Sequence, residues 1–118
     1  MNWRRDGNSN EPRPVQPNWT DIRRDGDRVI LSCRPCNLLD DERVERLSAV
    51  IAGIVQDTTS KVEIDLRKVP AADTKVVAML VAAARLARQC SVDLIIRPSA
   101  QLHRIIHICR LDTVLRLA

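Results

Sequence analysis

The sequence is poor in aromatic residues and in glycine. It contains no Phe and no Tyr, and its two tryptophans, Trp3 and Trp19, both lie near the N-terminus. The core of the fold must therefore be aliphatic. With only three glycines in 118 residues, the chain has no Gly-rich phosphate loop, and it has neither a nucleophile elbow nor a helical His-Glu zinc motif. We therefore expect no enzymatic activity and no cofactor.

Long hydrophobic runs are also absent. No stretch reaches the roughly 18 apolar residues of a membrane span, and the polar N-terminus lacks the apolar segment of a secretion signal. We therefore expect a cytoplasmic protein without membrane insertion. In that reducing compartment the four cysteines are expected to be free thiols.

The charged residues do not form a basic patch. Nineteen Lys and Arg against 15 Asp and Glu give a net charge of +4, but the two signs are dispersed along the chain. The nearest basic cluster, Arg23, Arg24 and Arg28, is interrupted by Asp25 and Asp27. Because aromatic side chains for base stacking are also scarce, we do not expect a nucleic-acid partner.

The chain divides into a polar tail and one domain. Residues 1–18 are rich in proline and polar residues and show no apolar periodicity, so they bury too little surface to offset the entropy of ordering. We predict a flexible N-terminal tail over residues 1–18 and a single domain over residues 19–118, the number expected for this length.

The domain alternates strand patterns with helix patterns. Residues 19–33 predict a β-hairpin with its turn at Asp25-Gly26. Asp40 and Asp73 stand where helix N-caps are expected. The other predicted elements are helices over 40–56, 73–89 and 100–111, and strands over 61–69, 92–98 and 113–118. This order predicts an α/β fold with a mixed sheet of four to five strands and three helices mainly on one face.

Apolar spacing predicts which side of each element is buried. Val62, Ile64 and Leu66 alternate with polar residues, so one face of that strand should be buried and the other partly wet. The helices are expected to bury apolar seams at helical spacing. The seam residues are Val44, Leu47, Val50, Ile51 and Ile54 in the first helix, Val76, Val77, Leu80, Val81 and Ala84 in the second, and Leu102, Ile105, Ile106 and Cys109 in the third.

An Asp-Thr pair begins the second helix, in the stretch "VPAADTKVVAML". Asp73 can accept hydrogen bonds from the first backbone N–H groups, and capping alone would explain the pair. Thr74 then occupies the first helical position, where the helix terminus favours negative charge. A phosphoryl group on its hydroxyl would be stabilised there, so both interpretations stay open on the residues alone.

The chain from Trp19 onward resembles a STAS domain, the anti-sigma-factor-antagonist family. The resemblance rests on the "IDL" strand, the "DT" pair, the apolar helix after it, the "LIIRPS" strand, and a last helix followed by "LDTVL". It implies a bacterial, non-enzymatic module that regulates transcription by binding a kinase-type anti-sigma factor or a similar switch protein. It also implies that Thr74 is the phosphoacceptor.

The resemblance places a docking surface around the start of the second helix. The unmodified protein would bind its partner, and phosphate on Thr74 would prevent docking. Lys75 and Val76 stand where the family has small residues, and we expect Val76 to crowd a docking kinase. A weak homodimer and nucleotide binding are left open. The predicted partner-binding residues are Asp73, Thr74, Lys75, Arg34, Asn37 and Leu38.

Two other functions remain open. STAS proteins also serve as subunits of bacterial lipid-transport ABC complexes, where they bind the ATPase without needing phosphorylation. The "CRPC" stretch, Cys33 to Cys36, is similar to a thioredoxin centre, but the first helix is expected to begin too late to activate either thiol. His103 and His107 have the i, i+4 spacing of metal ligands, yet we interpret them as a solvated pair and expect no metal.

Overall fold

The computed structural model of the protein describes residues 17–57 and 60–118. The predicted tail falls almost wholly in residues 1–16, which lie outside the described residues, so the tail and the domain boundary stay predictions. The elements, in chain order, are β1 (Thr20–Asp25), β2 (Arg28–Cys33), β3 (Asn37–Leu38), α1 (Asp41–Asp57), β4 (Lys61–Leu66), β5 (Ala71–Ala72), α2 (Thr74–Gln89), β6 (Asp93–Pro98) and α3 (Ala100–Ile108).

Four of the strands form one mixed sheet. Its order is β1-β2-β4-β6, with β1 antiparallel to β2 and the other neighbours parallel. The predicted α/β fold, with a mixed sheet and three helices, is confirmed. The strands β3 and β5, two residues each, pair in a separate small sheet that the sequence pattern did not predict.

The predicted hairpin joins β1 to β2. Asp25 pairs with Arg28, so the two-residue loop is Gly26-Asp27 and lies one residue later than predicted. Gly26 has a φ of +65°, a backbone conformation that glycine adopts without a steric cost. The position of this one glycine therefore sets the register of the hairpin.

The helices cover one face of the sheet. Val62, Ile64 and Leu66 have no solvent exposure and belong to the same apolar cluster as the helix seams. On the opposite face of β4 we expected a partly wet surface, but Glu63 is only 7% exposed. Its carboxylate accepts from Arg97 Nε at 2.8 Å and faces Arg28 at 3.6 Å. Two guanidinium groups thus shield the carboxylate and compensate its charge.

The predicted seams of α1 and α2 are largely confirmed. In α1 the exception is Ile54, which is half-buried while Val55 is buried in its place. In α2, Val81 and Ala84 are half-buried but still pack against the core. Within the described residues, no helix has both the length and the apolar content needed to cross a bilayer.

The end of the chain differs from the prediction in two ways. Cys109, predicted to join the buried seam of α3, is exposed, because the helix ends there and Arg110 adopts a φ of +58°. The chain then turns back toward the core, where Leu111 packs, and the Leu111 N–H donates to the Ile106 carbonyl at 3.0 Å. The predicted last strand is reduced to one bridge, in which Leu117 pairs with Ile96.

Candidate docking surface at the start of α2

The small sheet brings the starts of α1 and α2 together. Asn37 pairs with Ala71 and Leu38 pairs with Ala72 in parallel. The chain leaves β3 to enter α1 and leaves β5 to enter α2. As a result, two helix N-termini from distant parts of the sequence lie side by side.

Asp73 is the N-cap of α2, as predicted. Its backbone is extended, with φ −135° and ψ −167°, and its Oδ1 accepts from the Lys75 N–H at 3.0 Å. The Asp73 carbonyl accepts from the Val76 N–H at 3.1 Å. The cap satisfies two donors that would otherwise lack partners at the helix start.

Thr74 is the first residue of α2, and its side chain is exposed. Val76, which we expected to crowd a docking kinase, has no solvent exposure. That expectation is wrong, because Val76 is on the core side of the helix. Val76 therefore does not cover Thr74, which is exposed.

Lys75 links the two helix starts. Its Nζ lies 2.5 Å from Asp41 Oδ1, 3.2 Å from the Leu39 carbonyl oxygen and 3.8 Å from Asp73 Oδ2. The hydrogen bond to Asp41, with further attraction from nearby carboxylates, raises the pKa of Lys75. The ammonium group is therefore held between α1 and α2 and stays charged at neutral pH.

Two adjacent leucines have opposite environments in the loop before α1. Leu38 has no exposure and Leu39 is 45% exposed, so in this structure Leu39, and not the predicted Leu38, offers a side chain to a partner. Asn37 is exposed, and its Oδ1 accepts from the Leu39 N–H at 2.9 Å. Sequence reasoning missed Leu39. No signal in the sequence marked it as exposed, because an apolar residue just before a helix cap commonly packs against the first turns of the helix.

Arg34 is directed away from the start of α2. Its guanidinium donates to both carboxylate oxygens of Asp21 on β1, at 3.1 and 3.2 Å. This contact raises the pKa of Arg34 and lowers the pKa of Asp21. The structure thus assembles Asn37, Leu39, Asp73, Thr74 and Lys75 on one surface, and turns Arg34 toward the edge strand.

Comparison with protein families identifies the fold. A family model described as "Mlab, STAS domain" matches residues 37–117, which span β3 to the C-terminal bridge. The chain belongs to this STAS family. Among curated proteins, none matches the sequence significantly.

Solved structures of STAS proteins share the fold. The protein TM1081 from Thermotoga maritima is 16% identical, with 85% of this chain and 86% of that chain covered and a TM-score of 0.72. An anti-sigma-factor antagonist (STAS) domain protein from Planctomyces limnophilus is 16% identical over 83% and 87%, with a TM-score of 0.72. Phosphorylated SpoIIAA from Bacillus is 16% identical over 84% and 90%, with a TM-score of 0.64.

The "CRPC" stretch of this STAS domain lacks the features of a redox centre. Cys33 is buried at the end of β2, and burial raises the pKa of its thiol to about 12. Burial also raises the pKa of Cys36. The first helix begins at Asp41, so neither thiol lies at a helix N-terminus that could stabilise a thiolate. The geometry gives the thiol-redox alternative no support.

The two histidines of α3 are exposed on the surface of the STAS domain. His107 Nδ1 lies 3.1 Å from Asp112 Oδ2 in the turn after the helix, and this contact lowers the pKa of Asp112. In the described part of the chain, no group of three or more His, Cys, Asp or Glu side chains is arranged to hold a metal ion.

Proposed function

We propose that this STAS domain is a non-catalytic regulatory module that binds a partner protein through the start of α2. The docking surface consists of Asn37, Leu39, Asp73, Thr74 and Lys75. One observation carries the proposal: Thr74 is exposed at a capped helix N-terminus, next to a loop whose apolar Leu39 is 45% exposed. Protein-binding sites commonly have an apolar centre within a polar rim, and this surface has that arrangement.

Phosphorylation of Thr74 is the proposed switch. A phosphoryl group adds about −1.5 to −2 charges at neutral pH. Asp73 and Asp41 already place two carboxylates at this position, both in contact with Lys75. Phosphate would compete with Asp41 for the Lys75 ammonium and add charge to the surface that a partner must cover. The helix terminus stabilises the phosphate locally, so the fold is retained while docking is lost.

The proposed partner is a kinase-type anti-sigma factor or a similar switch protein. The test is a pull-down from native lysate with the wild type as bait, followed by incubation of the purified pair with ATP. Intact mass should show one added phosphate on the wild type and none on Thr74→Ala. A partner that binds both proteins but phosphorylates neither would contradict the switch and leave the docking proposal in place.

A constitutive structural subunit is the second candidate function. The family description names Mlab, and Lys75 is an unusual residue to follow the Asp-Thr pair of a phosphorylated STAS domain. In this interpretation Lys75 holds α1 and α2 in one fixed arrangement for the ATPase of a lipid-transport complex. Recovery of a transporter ATPase in the pull-down, with no phosphate added to Thr74, would favour it over the switch.

A further inference from the structure

A cleft with both apolar and charged lining residues lies at the end of the domain opposite the docking surface. Its volume is about 200 Å³, somewhat larger than the roughly 150 Å³ of an apolar cavity that accepts a benzene molecule. It therefore has room for one aliphatic side chain. It forms between the last turns of α2, the start of β6 and the C-terminal segment, and is lined by Ala84, Ala87, Arg88, Val92, Asp93, Leu94, Val114 and Arg116.

The rim of the cleft is basic. Arg116 donates to Asp93 at 2.6 Å, so these two charges balance each other. Arg88 is exposed, and no carboxylate of the described residues lies within ion-pair distance of it. Val114 is 42% exposed beside it. The cleft thus combines apolar lining residues with one guanidinium group that no acid of the described chain neutralises.

The complementary feature stands at the start of α1. Leu39 is 45% exposed, and the next three residues are Asp40, Asp41 and Glu42, all exposed. This segment offers one aliphatic side chain followed by three acids, and each acid has a partner at the surface: Asp40 accepts from the Glu42 N–H, Asp41 pairs with Lys75 and Glu42 pairs with Arg46. Exposed ion pairs contribute little to stability, so these acids are able to exchange partners on association. Its composition matches a cleft that has room for one such side chain and carries at its rim Arg88, which has no carboxylate partner among residues 17–57 and 60–118.

We propose that a second copy of this chain occupies the cleft, inserting Leu39 and placing Asp40 and Glu42 near Arg88. The two surfaces lie at opposite ends of α2, about 20 Å apart by the rise of the helix from Thr74 to Arg88. Each copy carries both surfaces, so a head-to-tail contact leaves one surface free at each end and allows chains to grow by repeating it.

The contact is small and its association is weak. One inserted side chain and a few rim charges bury less than the roughly 1,200 Å² of stable interfaces. The self-contact also covers Leu39 of the docking surface. If the proposed docking function holds, partner binding and self-association exclude each other, but the self-contact itself does not depend on that function.

Two variants, each lacking one half of the contact, test the proposal. Leu39→Asp removes the inserted side chain and keeps the cleft, whereas Arg88→Glu reverses the rim charge and keeps Leu39. Sedimentation velocity of the full chain should show growing mass for the wild type between micromolar and millimolar concentration. Each variant alone should associate at least about tenfold more weakly, the cost expected for losing a central contact. Mixed in equal amounts, they should form a one-to-one complex that grows no further.

Ile108→Asp is the matched control. Ile108 is 69% exposed and does not line the cleft, so its replacement should leave self-association unchanged. Circular dichroism melts of all three variants establish that each is folded. A wild type that stays monomeric at millimolar concentration would overturn the proposal, as would a mixture of the two variants that fails to associate. Equal weakening by Ile108→Asp would also overturn it.

Discussion

Two of the chain's three Asp-Thr dipeptides lie wholly within the described residues, in two different structural settings. Asp73-Thr74 begins α2, where the Asp73 carboxylate accepts from a backbone N–H. Asp112-Thr113 lies in the turn after α3, where the Asp112 carboxylate faces the His107 ring. Both threonines are exposed. The dipeptide and the accessibility of its hydroxyl are therefore not enough to distinguish the two positions.

The helix termini distinguish them. The N-terminus of a helix carries a partial positive charge that favours an added anion, and the C-terminus carries a partial negative charge that opposes one. Thr74 is at the first kind of terminus, next to the exposed Leu39, and Thr113 follows the second kind. A phosphate is thus stabilised by a helix terminus at Thr74, whereas Thr113 lies beyond the last turn of α3 and gains no such stabilisation. This contrast supplies a matched control for each experiment.

The largest expected effect is on partner affinity. Thr74→Glu should weaken binding of the partner identified by pull-down by at least about tenfold, because it places a carboxylate inside the docking surface. Thr113→Glu adds the same charge outside that surface and should leave affinity unchanged. Isothermal titration of both variants against that partner measures the difference. Equal affinities for the wild type and Thr74→Glu would sink the switch.

The next effect is on stability and concerns the two aspartates. Asp73→Ala removes a helix N-cap and should lower the free energy of unfolding by about 1 kcal/mol. Asp112→Ala removes only an exposed contact with His107, and its effect should be clearly smaller. Urea denaturation of both variants provides the comparison. Equal losses of unfolding free energy would show that the capping hydrogen bond of Asp73 contributes no more to stability than the exposed contact of Asp112.

Much of the fold could be predicted because aliphatic periodicity is strong in this chain. Val62, Ile64 and Leu66 alternate, and the seams of α1 and α2 recur at helical spacing, so the main elements followed from the pattern. The strands β3 and β5 have two residues each, which is too short for any periodicity to show. Without them, the sequence did not show that Leu38 is buried and Leu39 exposed.

The end of α3 could not be predicted for a different reason. Helices commonly end with glycine in the left-handed conformation, and here that position holds Arg110, with a φ of +58°. Without the glycine signal, the apolar pattern extended the helix through Cys109.

In the docking surface, the Asp73 cap followed from sequence alone, whereas the contact of Lys75 with Asp41 joins residues 34 apart and depends on tertiary structure.

The helix ends themselves provide a third test. Ser91 and Arg110 both have a φ of +58°, and such a conformation costs a non-glycine residue roughly 1 kcal/mol. Replacing either by glycine should raise the free energy of unfolding by about 0.5 to 1 kcal/mol, because the strain is relieved. The greater conformational entropy of glycine in the unfolded chain offsets part of this gain. Gly26→Ala is the reverse control and should destabilise the hairpin. If Arg110→Gly instead lowered the melting temperature, the Arg110 side chain would have a stabilising role of its own.

The smallest expected effects are those of pH on stability. They should have opposite directions at Lys75, which follows the first dipeptide, and at Asp112, which belongs to the second. Lys75 beside Asp73 has a raised pKa, due first to its hydrogen bond with Asp41. Its stabilising contribution is therefore complete below the ordinary value of 10.5 and is lost as the pH rises through the higher folded value. Asp112 has a lowered pKa, due first to its bond with His107. Its contribution is complete above 3.8 and is lost as the pH falls through the lower folded value.

Melting temperatures measured against pH separate these two contributions. The difference between the wild type and Lys75→Met should shrink as the pH rises above 10.5, while the difference between the wild type and Asp112→Asn should shrink as the pH falls below 3.8. Both pairs are exposed, so added salt should reduce both differences by screening. A Lys75→Met difference that persists unchanged at high pH would mean that Lys75 stabilises the α1–α2 contact by packing its aliphatic stem and not by its charge. In that case phosphate on Thr74 would not draw the Lys75 ammonium away from Asp41. The phosphate would then weaken docking only through its own charge and size at the contact with the partner.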